Sequence, residues 1–220
     1  MQNKSGTLIV FEGGDGVGKS TQLERAEIFL KDQGLKVLVT KEPGSPHLQT
    51  NQVLRQIVKT EPDLNAVERE LLFMADAARH RRFLDDQIKS DPDLIVLCDR
   101  GYYSHLVYQI ATHKKGLLSE TDLKRLQKIV EFTVAKPNYN LIFNADFEIA
   151  KQRMEGRGGK DVIESLGEDF LRHVNQEYQA IKKGHRTFIV DANKDVDSVT
   201  SDVKRILMKI IQRRQNENNA

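Results

Sequence analysis

Gly13-Gly14-Asp15-Gly16-Val17-Gly18-Lys19-Ser20-Thr21 follows the apolar run Thr7 to Glu12 and opens a stretch of helical periodicity at Lys19. It satisfies G-x-x-x-x-G-K-[ST] in the strand, loop, helix context that the pattern requires. The glycines let successive backbone N–H groups turn inward around a phosphate, and the following helix N-terminus adds positive potential there. Lys19 is placed to reach the β- and γ-oxygens of a nucleotide, and Ser20 to ligate Mg²⁺. The simpler alternative, a glycine turn beside a surface lysine, explains neither the spacing nor the context.

Working outward, apolar runs rich in β-branched residues recur, each followed by a longer helical stretch, which is the pattern of βα units around a buried parallel sheet. Strands are expected at Thr7 to Glu12, Lys36 to Lys41, Asp93 to Asp99, Tyr139 to Asn144 and Thr187 to Asp191. Helices are expected at Lys19 to Gln33, Val67 to Lys89, Tyr103 to His113, Glu120 to Val134, Phe147 to Glu155, Gly167 to Lys182 and Val196 to Arg213. Within Val67 to Lys89, Leu71, Leu72, Ala75, Ala78 and Leu84 fall near one stripe, which predicts a single long helix packed on that stripe. The fold class is α/β in three layers, a five-stranded parallel sheet flanked by helices, as one domain over residues 1–220. Two glycine-bearing loops stand out as candidate moving parts, Glu42 to Thr50 and a short lid at about 156–165. The polar, Asn-rich end, about 212–220, is expected to fray.

The 220 residues suffice for one domain with its own core. With 34 basic and 32 acidic residues the net charge is near zero, which gives no bulk reason for nucleic acid or an anionic membrane as partner. The single cysteine, Cys98, lies in the apolar run Leu94 to Cys98, where a buried filler is a better reading than a nucleophile. One cysteine forms no internal disulfide, and the apolar runs are too short to span a bilayer, so a reducing, cytoplasmic location is expected.

A second anchor is Asp99-Arg100, at the end of the run Leu94 to Cys98, where the loops of a parallel sheet gather. An Asp there can hold Mg²⁺ through water. The neighbouring Arg100 offers a planar fork for a phosphate, unless it simply pairs with Asp99.

Thr40-Lys41-Glu42-Pro43-Gly44, Leu71-Leu72-Phe73, Asp99-Arg100, Ser104 and Tyr108-Gln109 resemble, in order and approximate spacing, the pattern of the thymidylate kinase family, a group of P-loop nucleoside monophosphate kinases. The likeness extends through Arg153 to Glu164 and to Val190-Asp191-Ala192, nearly the whole chain. It implies ATP and Mg²⁺ as donor and cofactor, a nucleoside monophosphate acceptor, and a homodimer. It further implies that Phe73 stacks on the acceptor base, that Arg55 and Arg100 hold its 5′-phosphate, and that Tyr108 lies under the deoxyribose. Glu42, Ser104 and Gln109 would complete that pocket. At the donor end Asp15 sits near the metal, and Arg153, Arg157 and Lys160 bracket the lid and would supply charge as arginine fingers do.

Four departures from the family pattern are visible. The base-reading arginine four residues after the stacking Phe is Ala77 here, and Arg79 lies about 200° round the helix from that position. Lys41 stands in place of the arginine before Glu-Pro-Gly, the loop before Arg55 is slightly long, and Val162 replaces a lid arginine. Position 16 is glycine, so the P-loop lacks the internal arginine of one branch. The reading that results is transfer of the ATP γ-phosphoryl to dTMP, in dTTP synthesis. Its rivals are the same fold acting on dUMP, a modified pyrimidine or a purine monophosphate, and a P-loop switch with no second substrate.

Overall fold

A computed structural model gives the chain's structure and describes residues 6–155 and 166–219. The elements run β1 (Thr7–Glu12), α1 (Lys19–Asp32), β2 (Val37–Lys41), α2 (Gln49–Thr60), α3 (Ala66–Ser90), β3 (Ile95–Asp99), α4 (Tyr102–Lys114), α5 (Glu120–Thr133), β4 (Tyr139–Asn144), α6 (Phe147–Glu155), α7 (Glu168–Ala180), β5 (Thr187–Asp191) and α8 (Val196–Asn219). All the strand pairs are parallel, in the order β2-β3-β1-β4-β5. This is the three-layer α/β fold of P-loop NTPases.

Alternation along the strands divides the core into two layers. Ile9, Phe11, Leu97, Leu141 and Phe143 face α1 and α8, where Leu23, Leu30, Val203 and Leu207 meet them. Leu8, Val10, Val96 and Cys98 face the other way, toward Leu84 of α3, while Ile142 packs with Val107 of α4 and Phe170 and Val174 of α7. Helices cover both sides of β1, β3 and β4, so every β1 residue is buried, which explains its unbroken apolar run. Cys98 is a buried free thiol in this packing, and burial raises its pKa well above the ordinary thiol value.

The register sets Phe11 beside Asp99, and Lys41 beside Asp99 on its other flank. The loops after β1, β2 and β3 therefore leave the same carboxyl edge of the sheet, where ligands bind in open parallel sheets.

Three expectations need correction. The loop after β2 gives way to a helix, α2, whose start carries no side-chain cap and whose polar composition hides its buried Asn51 and Val58. On α3 the buried face is Glu70, Met74, Asp76, Ala77, His80 and Leu84, while Leu71, Ala75 and Ala78 are exposed. Polar groups recruited to the site occupy the inward face, so the apolar stripe misplaces it. At the C-terminus α8 continues past Arg213 to Asn219. Its later turns are tethered by Arg213, which donates to the His185 carbonyl at 2.7 Å, and by Arg214, which donates to the carbonyls of Pro92 and Asp93.

Candidate active site

The loop between β1 and α1 needs glycine for steric reasons at one position above all. Gly16 has φ +78°, and a Cβ there would lie 2.1 Å from the Ala150 carbonyl oxygen of α6. The internal arginine that one family branch carries has no room here. Gly18, also left-handed, precedes α1, and Val17 packs into the core. Lys19 is buried, with Nζ donating to the Gly14 carbonyl at 2.7 Å. Burial lowers its pKa to about 8, with Arg100 pushing the same way and Asp99, Asp15 and Glu12 opposing. Ser20 and Thr21 are exposed, and Ser20 lines a small polar cavity with Lys19, Lys41, Asp99 and Arg100.

Asp99 ends β3 at this cavity. Its Oδ1 is buried and accepts no hydrogen bond among the described residues. A buried carboxylate oxygen without a donor is suited to a cation, either directly or through the cation's water. Among the described residues no cluster of three or more His, Cys, Asp or Glu side chains forms a ready-made metal site. The arrangement thus suits Mg²⁺, which takes one or two protein ligands and completes its shell with phosphate and water.

Arg100 is the one described non-glycine residue with positive φ, 68°. Its backbone N–H donates to Phe11, which turns the side chain away from Asp99 and over the P-loop. The guanidinium donates to the Gly13 carbonyl at 3.1 Å and to Asp15 Oδ1 at 2.5 Å, and lies over the Tyr108 ring at 5.1 Å. Its ion pair is therefore with Asp15 and not with its neighbour in sequence. Tyr108 donates its hydroxyl to the other Asp15 oxygen at 3.0 Å. Burial alone would raise the Asp15 pKa, but Arg100 and Lys19 outweigh it and hold the carboxyl at about 2.

Beside this donor end lies a second, more apolar pocket. Phe73, Glu70 and Arg69 of α3, Tyr108, His105 and Ser104 of α4, and Arg55 of α2 line it. The Glu42–Pro43 peptide is cis, and Glu42 is buried between two imidazoles, with Oε1 2.5 Å from His105 Nε2 and Oε2 2.8 Å from His80 Nδ1. Burial pushes the Glu42 pKa up, yet hydrogen bonds from His105 and His80 prevail and bring it to about 2. Arg55 donates to the Pro43 carbonyl at 2.6 Å, and its stem passes so near Gly44 that a Cβ there would stand 2.3 Å from Arg55 Cδ. Gly44, at φ +81°, is what lets Arg55 reach both cavities.

Lys19, Asp15, Asp99, Arg100, Ser20, Glu42, Arg55, Phe73, Ser104 and Tyr108 thus meet around two adjoining cavities. Two expected residues that the structure describes do not join them. Gln109 is fully buried behind the pocket wall, donating to Glu70 Oε2 at 2.9 Å. Arg153 turns away, donating to the Ala192 carbonyl at 2.8 Å and fastening α6 to the turn after β5. Arg157, with Lys160 and Val162, lies outside the described residues. Ser104 lines the pocket but is bonded into its floor, donating to Glu12 Oε2 at 2.5 Å.

The sequence reading missed three residues. Glu12 accepts from the backbone N–H groups of Tyr103 and Ser104 at 3.0 and 3.3 Å, a carboxylate at the N-terminus of α4. Glu70 precedes Phe73 by three positions on the same helical face, a signal that was available. His105 carries no local motif, since only the fold brings it to Glu42.

Known proteins match this arrangement along most of the chain. The thymidylate kinase family model matches residues 11–203. A curated thymidylate kinase from Thermosipho melanesiensis is 34% identical over 91% of this chain and 96% of its own length. One from Caldicellulosiruptor saccharolyticus is 29% identical over 95% and 99%. A probable thymidylate kinase from Archaeoglobus fulgidus is 30% identical over 96% and 100%. With the family model covering the P-loop and the residues that line both cavities, the chain belongs to the thymidylate kinase family of phosphotransferases.

Proposed function

We propose that the chain transfers the γ-phosphoryl of Mg·ATP to the 5′-phosphate of dTMP, giving ADP and dTDP for dTTP synthesis. The observation that carries this is the Arg100–Asp15 pair, which ties a P-loop cavity to a second pocket walled by Phe73 and Tyr108. A nucleotide switch needs the first cavity and has no use for the second.

The acceptor oxygen is already an anion, so no strong general base is required, and catalysis is positioning and charge neutralisation. Lys19 and the backbone of Gly13 to Gly18 hold the donor phosphates. Arg100 and Arg55 stand between the cavities, where they orient the acceptor phosphate and balance charge on the transferring group. Phe73 offers its ring to the base, and Tyr108 closes the sugar end of the pocket. Ser20 and Asp99 would hold Mg²⁺, which neutralises charge on the donor phosphates. Arg157 is assigned to lid closure over those phosphates.

No described helix is long and apolar enough to cross a membrane. We place the reaction in the cytoplasm, where ATP and deoxynucleotides are at hand, without nucleic acid as partner. Relatedness to the family favours a homodimer, and Phe132 of α5, 65% exposed, is an apolar side chain suited to such a contact.

The test is a coupled ADP-release assay over dTMP, dUMP, dCMP, dGMP and no acceptor. Turnover that depends on dTMP, and falls about a thousandfold in Lys19→Ala, is the expected result. ADP release that is independent of any acceptor would leave a simple nucleotidase or switch.

A further inference from the structure

Ala77 stands where the family pattern has its arginine, and it is buried against Met74, Val130 and Val134. Opposite, on α4, His105 lines the pocket in which Phe73 and Glu70 also lie. Its ring is fixed by a 2.5 Å contact from Nε2 to Glu42 Oε1, while Nδ1 has no hydrogen-bond partner among the described residues.

Glu42 is an ionised acceptor, so Nε2 must carry a proton whatever the state of the ring. The remaining nitrogen then has two chemistries. In the imidazolium Nδ1–H is a donor, and in the neutral ring Nδ1 is an acceptor.

We propose that His105 is a specificity-determining residue for the acceptor base, its Nδ1–H donating to a ring carbonyl of a keto pyrimidine monophosphate and refusing an exocyclic amine at that edge. This rests on the proposed kinase function and deepens it. A pocket that binds a carbonyl through a buried donor rejects an amino analogue because two donors then face each other.

The surroundings favour the charged ring. Burial lowers the His105 pKa, but the Glu42 hydrogen bond and charge, with Glu70 of α3 and Glu12 of β1, outweigh it, and the net shift is upward. His80 holds the far oxygen of Glu42, which Asp76 of α3 also senses. As pH rises through the His105 titration, Nδ1 turns from donor to acceptor while Glu42 and the Nε2 proton stay in place. Preference should then move from carbonyl toward amine.

The experiment measures kcat/KM for dTMP, dUMP and dCMP at saturating Mg·ATP from about pH 6 to about pH 9 with the full chain. Titrations of Lys19 and the acceptor phosphate are common to all acceptors and cancel in the ratio. The dTMP-to-dCMP ratio should fall about tenfold over the His105 titration, the worth of one hydrogen bond gained or lost. His105→Gln, which keeps a donor for Glu42 and does not titrate, should flatten the ratio. Because that variant can fail to fold, ¹⁵N spectra of the histidines in the wild-type chain give a second readout, with Nε2 of His105 protonated at both extremes. A ratio that is flat with pH in wild type, an unchanged slope in His105→Gln, or a neutral ring protonated on Nδ1 would each overturn the proposal. Absence of turnover with every monophosphate instead overturns the kinase function itself, and this assignment with it.

Discussion

Arg100 Nη2 lies 2.5 Å from Asp15 Oδ1, joining the end of β3 to the P-loop across two cavities that a donor and an acceptor nucleotide would share. The pair is largely buried, and a buried guanidinium loses its value when its partner geometry changes. The strained backbone at Arg100 is what points the fork this way, since Arg100 N–H is committed to Phe11.

Arg100→Lys keeps the charge and loses the fork. The expected outcome is at least a tenfold loss of kcat/KM for the acceptor, with the KM for ATP changed by no more than about twofold. Initial rates with each substrate varied in turn decide it. An equal loss on the ATP side would assign Arg100 to the donor.

Arg153 is expected from the sequence to act as a lid arginine, whereas in the structure it donates to the Ala192 carbonyl at 2.8 Å. Arg153→Ala should lower the melting temperature through the loosened turn after β5, with kcat reduced less than tenfold. Thermal unfolding beside steady-state rates separates the two effects. A loss of a hundredfold or more in kcat at unchanged stability would return Arg153 to the transition state.

Most of the fold was legible because the signals were local. TLIVFE followed by the glycine-rich loop can hardly be anything but β1 and its phosphate loop, and β3, β4 and β5 are marked by equally apolar runs. The acceptor pocket was legible only through resemblance, and it was misjudged where polar residues occupy buried positions. Glu70, Asp76 and His80 all point inward on α3, so hydrophobic periodicity selected the wrong stripe. His105 and Glu42 are 63 positions apart, and no spacing rule connects them.

Glu42 makes a pH-dependent contribution to stability whose sign is fixed by its shift. Its pKa falls from 4.5 to about 2 on folding, so the contribution is complete above about pH 5 and is lost as pH falls toward 2. The size is a few kcal/mol at most. His105 works in the opposite sense, its raised pKa adding stability at low pH that is lost as pH rises through the folded value. Glu42→Gln should therefore be less stable than wild type near neutrality, and its melting temperature should decline less steeply between about pH 5 and pH 3. Parallel acid profiles for the two proteins would show that folding leaves the Glu42 pKa unshifted.

Ala77→Arg tests where base recognition resides. From sequence alone, restoring the family's arginine ought to sharpen the preference for dTMP. The structure argues otherwise, because Ala77 is fully buried between α3 and α5, against Met74, Val130 and Val134, and does not line the pocket. A guanidinium inserted there must either displace that packing or bend past His80, and an unpaired buried charge costs several kcal/mol. The expected outcome is a melting temperature lowered by about 5 °C or more, with no gain in the dTMP-to-dCMP ratio of kcat/KM. A stable Ala77→Arg protein with a sharper ratio would mean that α3 keeps a path from position 77 to the base, and His105 would then share the reading with it.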